Sequence, residues 1–311
     1  MKRAILPTII AVCVGFNSAA LSAVAPTPWP KALREARNHV GAVDWRIRQA
    51  AAALCRAPVA GFGLSFDDIE AYPEGERAMV TRVLRLRDVP QISFVATGSP
   101  ADRAGLKPGD EVLAMGGITI DRIAQDAPKG SPLYDWLAVW MARAPLGPAM
   151  KVTVRRGSAE ISYILTAQPL CGLPVVMEVN PGFQGWSDGT RAVVTSGVIE
   201  RSQSDDEIAM FAGHELAHVL NGDVKASGLR ERLQWENDAD LLGMNLAICA
   251  GYDRKAVLAG WRRSDDKNFF RWLGDPTHGS LKTRIRTLEA MPAPPCPLAP
   301  ASRPAGLRSA S

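Results

Sequence analysis

Histidine is scarce in this chain, with four in 311 residues, so any cluster of histidines is informative. An excess of charge is also missing. The formal net charge is +4, and Lys2 and Arg3 supply two of those positives, which argues against nucleic acid as the main partner. Beyond residue 25 no apolar run reaches the ~20 residues that span a bilayer, which excludes a bundle of membrane-spanning helices. There is no internal repeat, which excludes a solenoid. What is present is 47% hydrophobic and 22% charged residues, a composition able to bury a sizeable core. The length predicts about two domains of ~100 to 150 residues each.

The first 25 residues are a different material. Lys2 and Arg3 precede an apolar run from Ala4 to Phe16, then "NSAALSAVA" offers small residues for processing after Ala23 or Ala25. This layout predicts a secretory signal over 1–25 and an exported chain, periplasmic or in the cell envelope. Left uncut, the segment would be an N-terminal anchor and the chain's point of membrane contact. Export gives the cysteines meaning. With Cys13 discarded, Cys55, Cys171, Cys249 and Cys296 remain, and four cysteines can pair in three ways. Cys55 and Cys171 flank a segment of different texture, so a bridge between them would pin its base. The other two would then tie the tail to a helix around Cys249.

In 26–57, Val40, Val43, Ile47 and Ala51 recur at three- and four-residue steps and predict one amphipathic helix over 31–57. From 58 to 170, glycine-punctuated runs such as "GFGLSF", "ISFVA", "DEVLAM" and "KVTVRR" predict strands, with a turn at "RRGSAE" and one helix in "SPLYDWLAVWMARA". From 171 to 291 long helical segments dominate, introduced by "RAVVTSGVIE", which predicts a strand at the edge of a cleft. Trp186, Ser187 and Asp188 are expected in the loop before it. Residues 292–311 form a proline-rich tail.

Within 97–117, "TGSPADRAGLKPGDEVLAMGG" resembles a PDZ domain of the bacterial protease-associated type. The resemblance implies a short helix over Pro100 to Ala104, a turn through Lys107, Pro108 and Gly109, and a strand from Asp110. It also puts Phe62, Gly63 and Leu64 in the loop whose N–H groups would hold the C-terminal carboxylate of a peptide ligand. Residues 67–91 are longer and more helical than a minimal PDZ module needs.

Two of the four histidines stand in "AGHELAHVLNG", residues 212–222. A helix beginning near Asp205 is predicted, with Ser204 and Glu207 as a capping box and Asn221 with Gly222 as its stop. Spacing of four puts His214 and His218 one turn apart on one face, as two ligands of one zinc require, while Glu215 can reach a water at the metal without being a ligand. A shuffled chain of this composition would hold on the order of 0.002 such matches, so chance is a poor explanation. A second helix over 228–251 carries Glu236 and Asp240 four apart on one face. Glu236 completes a His, His, Glu set with one position open, the pattern of a catalytic zinc, one Zn²⁺ per chain. Asp240 can fix the tautomer of a ligand histidine.

"HELAH", "ENDAD" and "THGSLKTRI" (277–285) together resemble the gluzincin metallopeptidases of the HtpX and CAAX prenyl protease type, in particular their soluble periplasmic branch. The resemblance implies His214, His218 and Glu236 as zinc ligands, Glu215 as general base, and Asp240 behind a ligand. It also implies His278 and Arg284 as groups facing the cleft and steadying the oxyanion. Gly279 stands where that family more often has proline. The expected fold class is α+β: a mainly helical zincin-type metallopeptidase domain with a small edge-strand sheet, plus an inserted β-rich PDZ-like domain. The expected function is an exported zinc-dependent endopeptidase acting on protein or peptide substrates, which the PDZ-like domain recruits or gates. The alternative is a peptide-binding or chaperone-like envelope factor whose zinc is structural.

Overall fold

The computed structural model describes residues 29–223, 227–265 and 280–299. The signal segment, His278 and most of the proline-rich tail lie outside the described residues. Among the described residues no helix is long and apolar enough to cross a membrane.

Helix α1 (Trp29–Ala50) buries Val40, Val43 and Ile47 on one face, as its spacing requires. It stops seven residues short of the expected end. "AAALCRA" contains no breaker; the chain turns there because Cys55 is disulfide-bonded to Cys171 and the next residues enter a strand. That strand, β1 (Pro58–Gly61), leads to β2 (Leu64–Asp67), α2 (Arg77–Leu84), β3 (Gln91–Val95), α3 (Pro100–Ala104), β4 (Glu111–Met115) and β5 (Ile118–Thr119). Then come α4 (Ile120–Gln125), α5 (Leu133–Ala142), β6 (Ala149–Arg156), β7 (Ala159–Thr166) and β8 (Gln168–Cys171).

Strands β2, β3, β4, β6 and β7 lie side by side, with β5 paired to β4 and β2 at an edge. Alternation puts Val152 and Val154 of β6 into a core with Ile92, Val112, Met115, Leu137 and Leu165. The segment enters and leaves through a two-stranded neck. Strand β1 pairs antiparallel with β8, Pro58 opposite Cys171 and Gly61 opposite Gln168, and the Cys55–Cys171 bridge closes its base.

The chain continues with β9 (Val175–Glu178), β10 (Gly185–Ser187), β11 (Ala192–Thr195), α6 (Ser196–Arg201), α7 (Asp205–Asn221) and α8 (Leu229–Cys249). It ends with α9 (Arg254–Val257), α10 (Ala259–Asp265) and α11 (Leu281–Ala290). A second core joins α1, α7 and α8 to β9 and β11 through residues such as Val43, Ile47, Val194, Met210, Leu216 and Met244. Trp45 of α1 reaches the other way and packs with Ala96 and Leu170, so one helix contacts both cores' neighbourhoods. The Cys249–Cys296 disulfide ties the segment after α11 to the end of α8.

The stretch "RAVVTSGVIE" differs from expectation. Only Ala192–Thr195 is strand; Ser196–Arg201 is helical. The Thr195 hydroxyl contacts both Gly182 O and Gln184 O, which fixes the bend between the two. Strand β11 is also interior, with β10 antiparallel on one side and β9 parallel on the other. Strands β10 and β9 are the edges of this sheet among the described residues, and β10 lies where a loop was expected.

Candidate metal centre

Helix α7 runs almost entirely inside the protein, buried from Glu207 to Ala217. Its acidic first turn suits the positive end of the helix dipole. Ser204 stands at the N-cap, but the expected capping box does not form. Glu207 accepts from the Gln203 N–H and is gripped by Arg263 (Nη1–Oε1 2.7 Å), so a distant guanidinium claims the carboxylate. At the other end Gly222 takes the left-handed conformation (φ 77) and folds the chain back. Asp223 then donates its N–H to His218 O at 3.0 Å and accepts from His218 Nδ1 at 2.9 Å.

Helices α7 and α8 cross at two glycines. A methyl group on Gly213 would lie 2.7 Å from Gly243 O, and one on Gly243 would lie 2.6 Å from the His214 backbone nitrogen. Backbone therefore rests on backbone, one residue from the first histidine, and Glu236 is carried to the pair. His214 Nε2, His218 Nε2 and Glu236 Oε2 converge: the two nitrogens are 3.1 Å apart, and the carboxylate oxygen is 3.3 and 3.7 Å from them. Candidate ligand atoms of all three lie within 4.8 Å of one another.

The donor chemistry fits a divalent cation. His214 Nδ1 is 2.9 Å from Asp240 Oδ1, and His218 Nδ1 meets Asp223. With each Nδ1–H donated to a carboxylate, each Nε2 presents a lone pair to the same point as Glu236 Oε2. Three facing donors repel unless a proton or metal lies between them. Without metal, the proton takes that role. Burial works against charge on His214, but hydrogen bonds to Asp240 and Glu236 outweigh it and hold its pKa up at about 10. His218 is raised against the same burial, chiefly by Glu236.

Asp240 accepts two hydrogen bonds from Arg284, from Nε to Oδ2 and from Nη2 to Oδ1, each 2.6 Å. Burial would raise its pKa, yet the bonds from Arg284 and His214 prevail and hold it below the ordinary carboxylate value. The Arg284 guanidinium is buried and stacked 4.6 Å over Trp261. It braces Asp240, the carboxylate that meets His214, and so can orient the site. Nε and Nη2 are taken by that carboxylate, while Nη1 is buried with no hydrogen-bond partner among the described residues. Asp223 was not singled out from sequence; its only signal was a carboxylate directly after the helix stop.

Glu215 lies against strand β10. A methyl on Gly185 would be 2.7 Å from Glu215 Cγ and 2.8 Å from Oε1, so the absent side chain gives the carboxylate its room. Trp186, on the opposite face of the strand, donates from Nε1 to Glu178 Oε2 at 2.8 Å. The backbone of the sheet edge thus passes directly over the glutamate beside the candidate ligands.

Residues 176–234 match peptidase family M48, and residues 91–128 match the PDZ domain. The chain carries an M48 peptidase segment and a PDZ domain. The M48 match covers β10, β11 and all of α7, the elements that bring Glu215 and both histidines together. No curated protein matches the chain. Solved structures similar to it include an HtrA-type protease AlgW with decapeptide, at 16% identity over 36% of this chain and 30% of that one, TM-score 0.27. Another is the serine endoprotease from Yersinia pestis, at 18% identity over 37% and 30%, TM-score 0.24. The chain therefore spans under a third of the length of either.

In the PDZ-type sheet, Phe62, Gly63 and Leu64 line a pocket of about 110 Å³ with Ala138 and Met141 of α5 and Trp45 and Arg48 of α1. Gly63 is left-handed (φ 75), and a side chain there would strike Ser99 Cβ at 2.1 Å. Phe62 O accepts from the Ala101 N–H and Gly63 O from the Ala96 N–H, which fixes the loop's peptide planes. The helix over Pro100–Ala104 and the strand after the 107–109 turn lie where the sequence predicted them, the strand starting one residue later.

Proposed function

We propose that this chain is an exported zinc-dependent endopeptidase. Its catalytic part, residues 26–57 and 171–291, is read as a zincin-type domain interrupted at 58–170 by the PDZ-like domain. The observation that carries the proposal is the convergence of His214, His218 and Glu236 within 4.8 Å, with Glu215 next to the first ligand and under a strand edge. His, His and Glu fit zinc and leave one position for water or substrate. Two disulfides support an oxidising compartment.

Bound zinc would act as a Lewis acid toward a peptide carbonyl. His214, His218 and Glu236 would hold it, with Asp240 and Asp223 keeping each imidazole in the tautomer that presents Nε2. Glu215 would take the proton of the attacking water and return it to the departing amine. Strand β10 offers backbone groups to a substrate laid beside it as an added antiparallel strand. The Phe62–Leu64 loop would receive a C-terminal carboxylate and so recruit substrates or gate their entry.

The test is cleavage of an unfolded protein by the zinc-loaded chain, by the same chain with chelator, and by Glu215→Gln. The expected result is cleavage in the first case alone, with zinc near one per chain in both the wild type and the variant. Full activity of Glu215→Gln would end the proposal.

A further inference from the structure

The end of β10 and the end of α7 open into one groove. Its volume is about 940 Å³, and it is lined on one side by Gly189, Val219 and Leu220. The neck of the PDZ-like segment also lines it: Leu54, Arg56, Ala57, Val59 and Leu173 lie beside Cys55 of the disulfide. Neither the metal site nor the PDZ-type loop uses this space.

Two elements lead from the catalytic glutamate to it. Strand β10 starts at Gly185, against Glu215, and ends at Ser187, two residues before Gly189 in the following turn, so the groove lies at most roughly 13 Å along the chain. Helix α7 covers the six residues from Glu215 to Asn221, another groove residue, in roughly 9 Å. Both routes put the groove about three or four extended residues from the reacting bond. A substrate strand antiparallel to β10 has its N-terminal part toward Gly189, the end of β10 that reaches the groove.

We propose that this groove is a substrate subsite that takes a bulky apolar side chain three or four residues N-terminal to the cleaved bond. The inference rests on the peptidase reading and adds a specificity determinant to it. Leu54, Val59, Leu173, Val219 and Leu220 make its lining mainly aliphatic, with Arg56 and Asn221 as its polar members, which selects a mainly apolar occupant. The outer wall is built by the neck, so the Cys55–Cys171 bridge sets the groove's width.

The test uses a peptide library cleaved by the full-length, zinc-loaded chain and by Ala57→Trp. Ala57 is an exposed neck residue remote in sequence from the metal ligands, and tryptophan there would fill the groove. The expected wild-type profile favours Leu, Ile, Met or Phe three or four residues upstream of the cut. In Ala57→Trp, kcat/KM for those peptides falls by roughly tenfold or more, while peptides with Ala or Gly at that position are cut as before. Glu215-dependent cleavage without an upstream apolar preference, or with one that Ala57→Trp leaves unmoved, overturns the subsite and spares the peptidase. An apolar preference on the C-terminal side also overturns it. Absence of any cleavage that Glu215→Gln abolishes overturns the peptidase reading and the subsite with it.

Discussion

Arg284 holds Asp240 by two 2.6 Å hydrogen bonds, and the same carboxylate receives His214 Nδ1 at 2.9 Å. The chain of contacts runs from α11 through α8 to α7. Arg284→Ala would leave a buried carboxylate short of its main counter-charge, a loss of about 3 to 5 kcal/mol in stability. Zinc affinity should fall about 10- to 100-fold. Arg284→Lys, with charge but no fork, should recover part of the stability. Competition against a chelator and thermal melts measure both; an unchanged affinity in Arg284→Ala would mean that Asp240 needs no support.

The raised His214 value fixes the sign of a pH effect. In the metal-free chain the protonated imidazole stabilises the fold fully below its ordinary value of 6.5, and that contribution is lost as pH rises through about 10. Metal must displace the proton, so zinc affinity should move the opposite way, strengthening from pH 6 to pH 9 by up to about tenfold per unit for each proton released. Calorimetry in buffers of different ionisation enthalpy counts those protons, and a pH-independent affinity contradicts the expectation.

Gly185→Ala drives a methyl group into the Glu215 carboxylate. Displacing a catalytic group by ~1 Å can cost about 100-fold in rate, so kcat should fall by that order. Zinc content should stay near one per chain, because no ligand is touched. Metal analysis beside steady-state kinetics separates this outcome from simple loss of the site.

Gly243→Ala attacks the helix crossing instead. The added methyl meets backbone 2.6 Å away, and backbone cannot rotate aside, so α7 and α8 must part. Overpacking of this kind costs about 1 to 3 kcal/mol or more. Both melting temperature and zinc affinity should drop, unlike the Gly185→Ala result.

Gly63→Ala should leave both the metal site and its hydrolysis of short peptides intact, while peptides ending in a free carboxylate no longer bind at the PDZ-type loop. Fluorescence anisotropy with a labelled peptide reads this directly. Binding equal to that of the wild type would show that the loop is not the receiving end.

The candidate ligands were legible because helical spacing is rigid: residues four apart must share a face, and "HELAH" and "ENDAD" each obey it. The short helix at Pro100 was implied by the PDZ resemblance, and local geometry is enough to hold it, the Ser99 hydroxyl accepting from the Asp102 N–H. What failed depended on partners far along the chain. Glu207 left its capping box for Arg263, and α1 ended where a disulfide turned it. Strand β10 is three residues long and contains glycine and serine, so no alternation announced it. Nor does a periodic pattern reveal that Gly213 and Gly243 face each other, since a missing side chain contributes no signal.

Cys55 and Cys171 lie 5.4 Å apart between α-carbons, although 116 positions separate them in the chain. Once that bond exists, the unfolded polymer is branched, and the helical half no longer has to close a long loop to assemble. The entropy so removed from the denatured ensemble is worth roughly 4 to 5 kcal/mol. The branch could therefore be lengthened or exchanged at little cost to the folding of the half that holds the histidines.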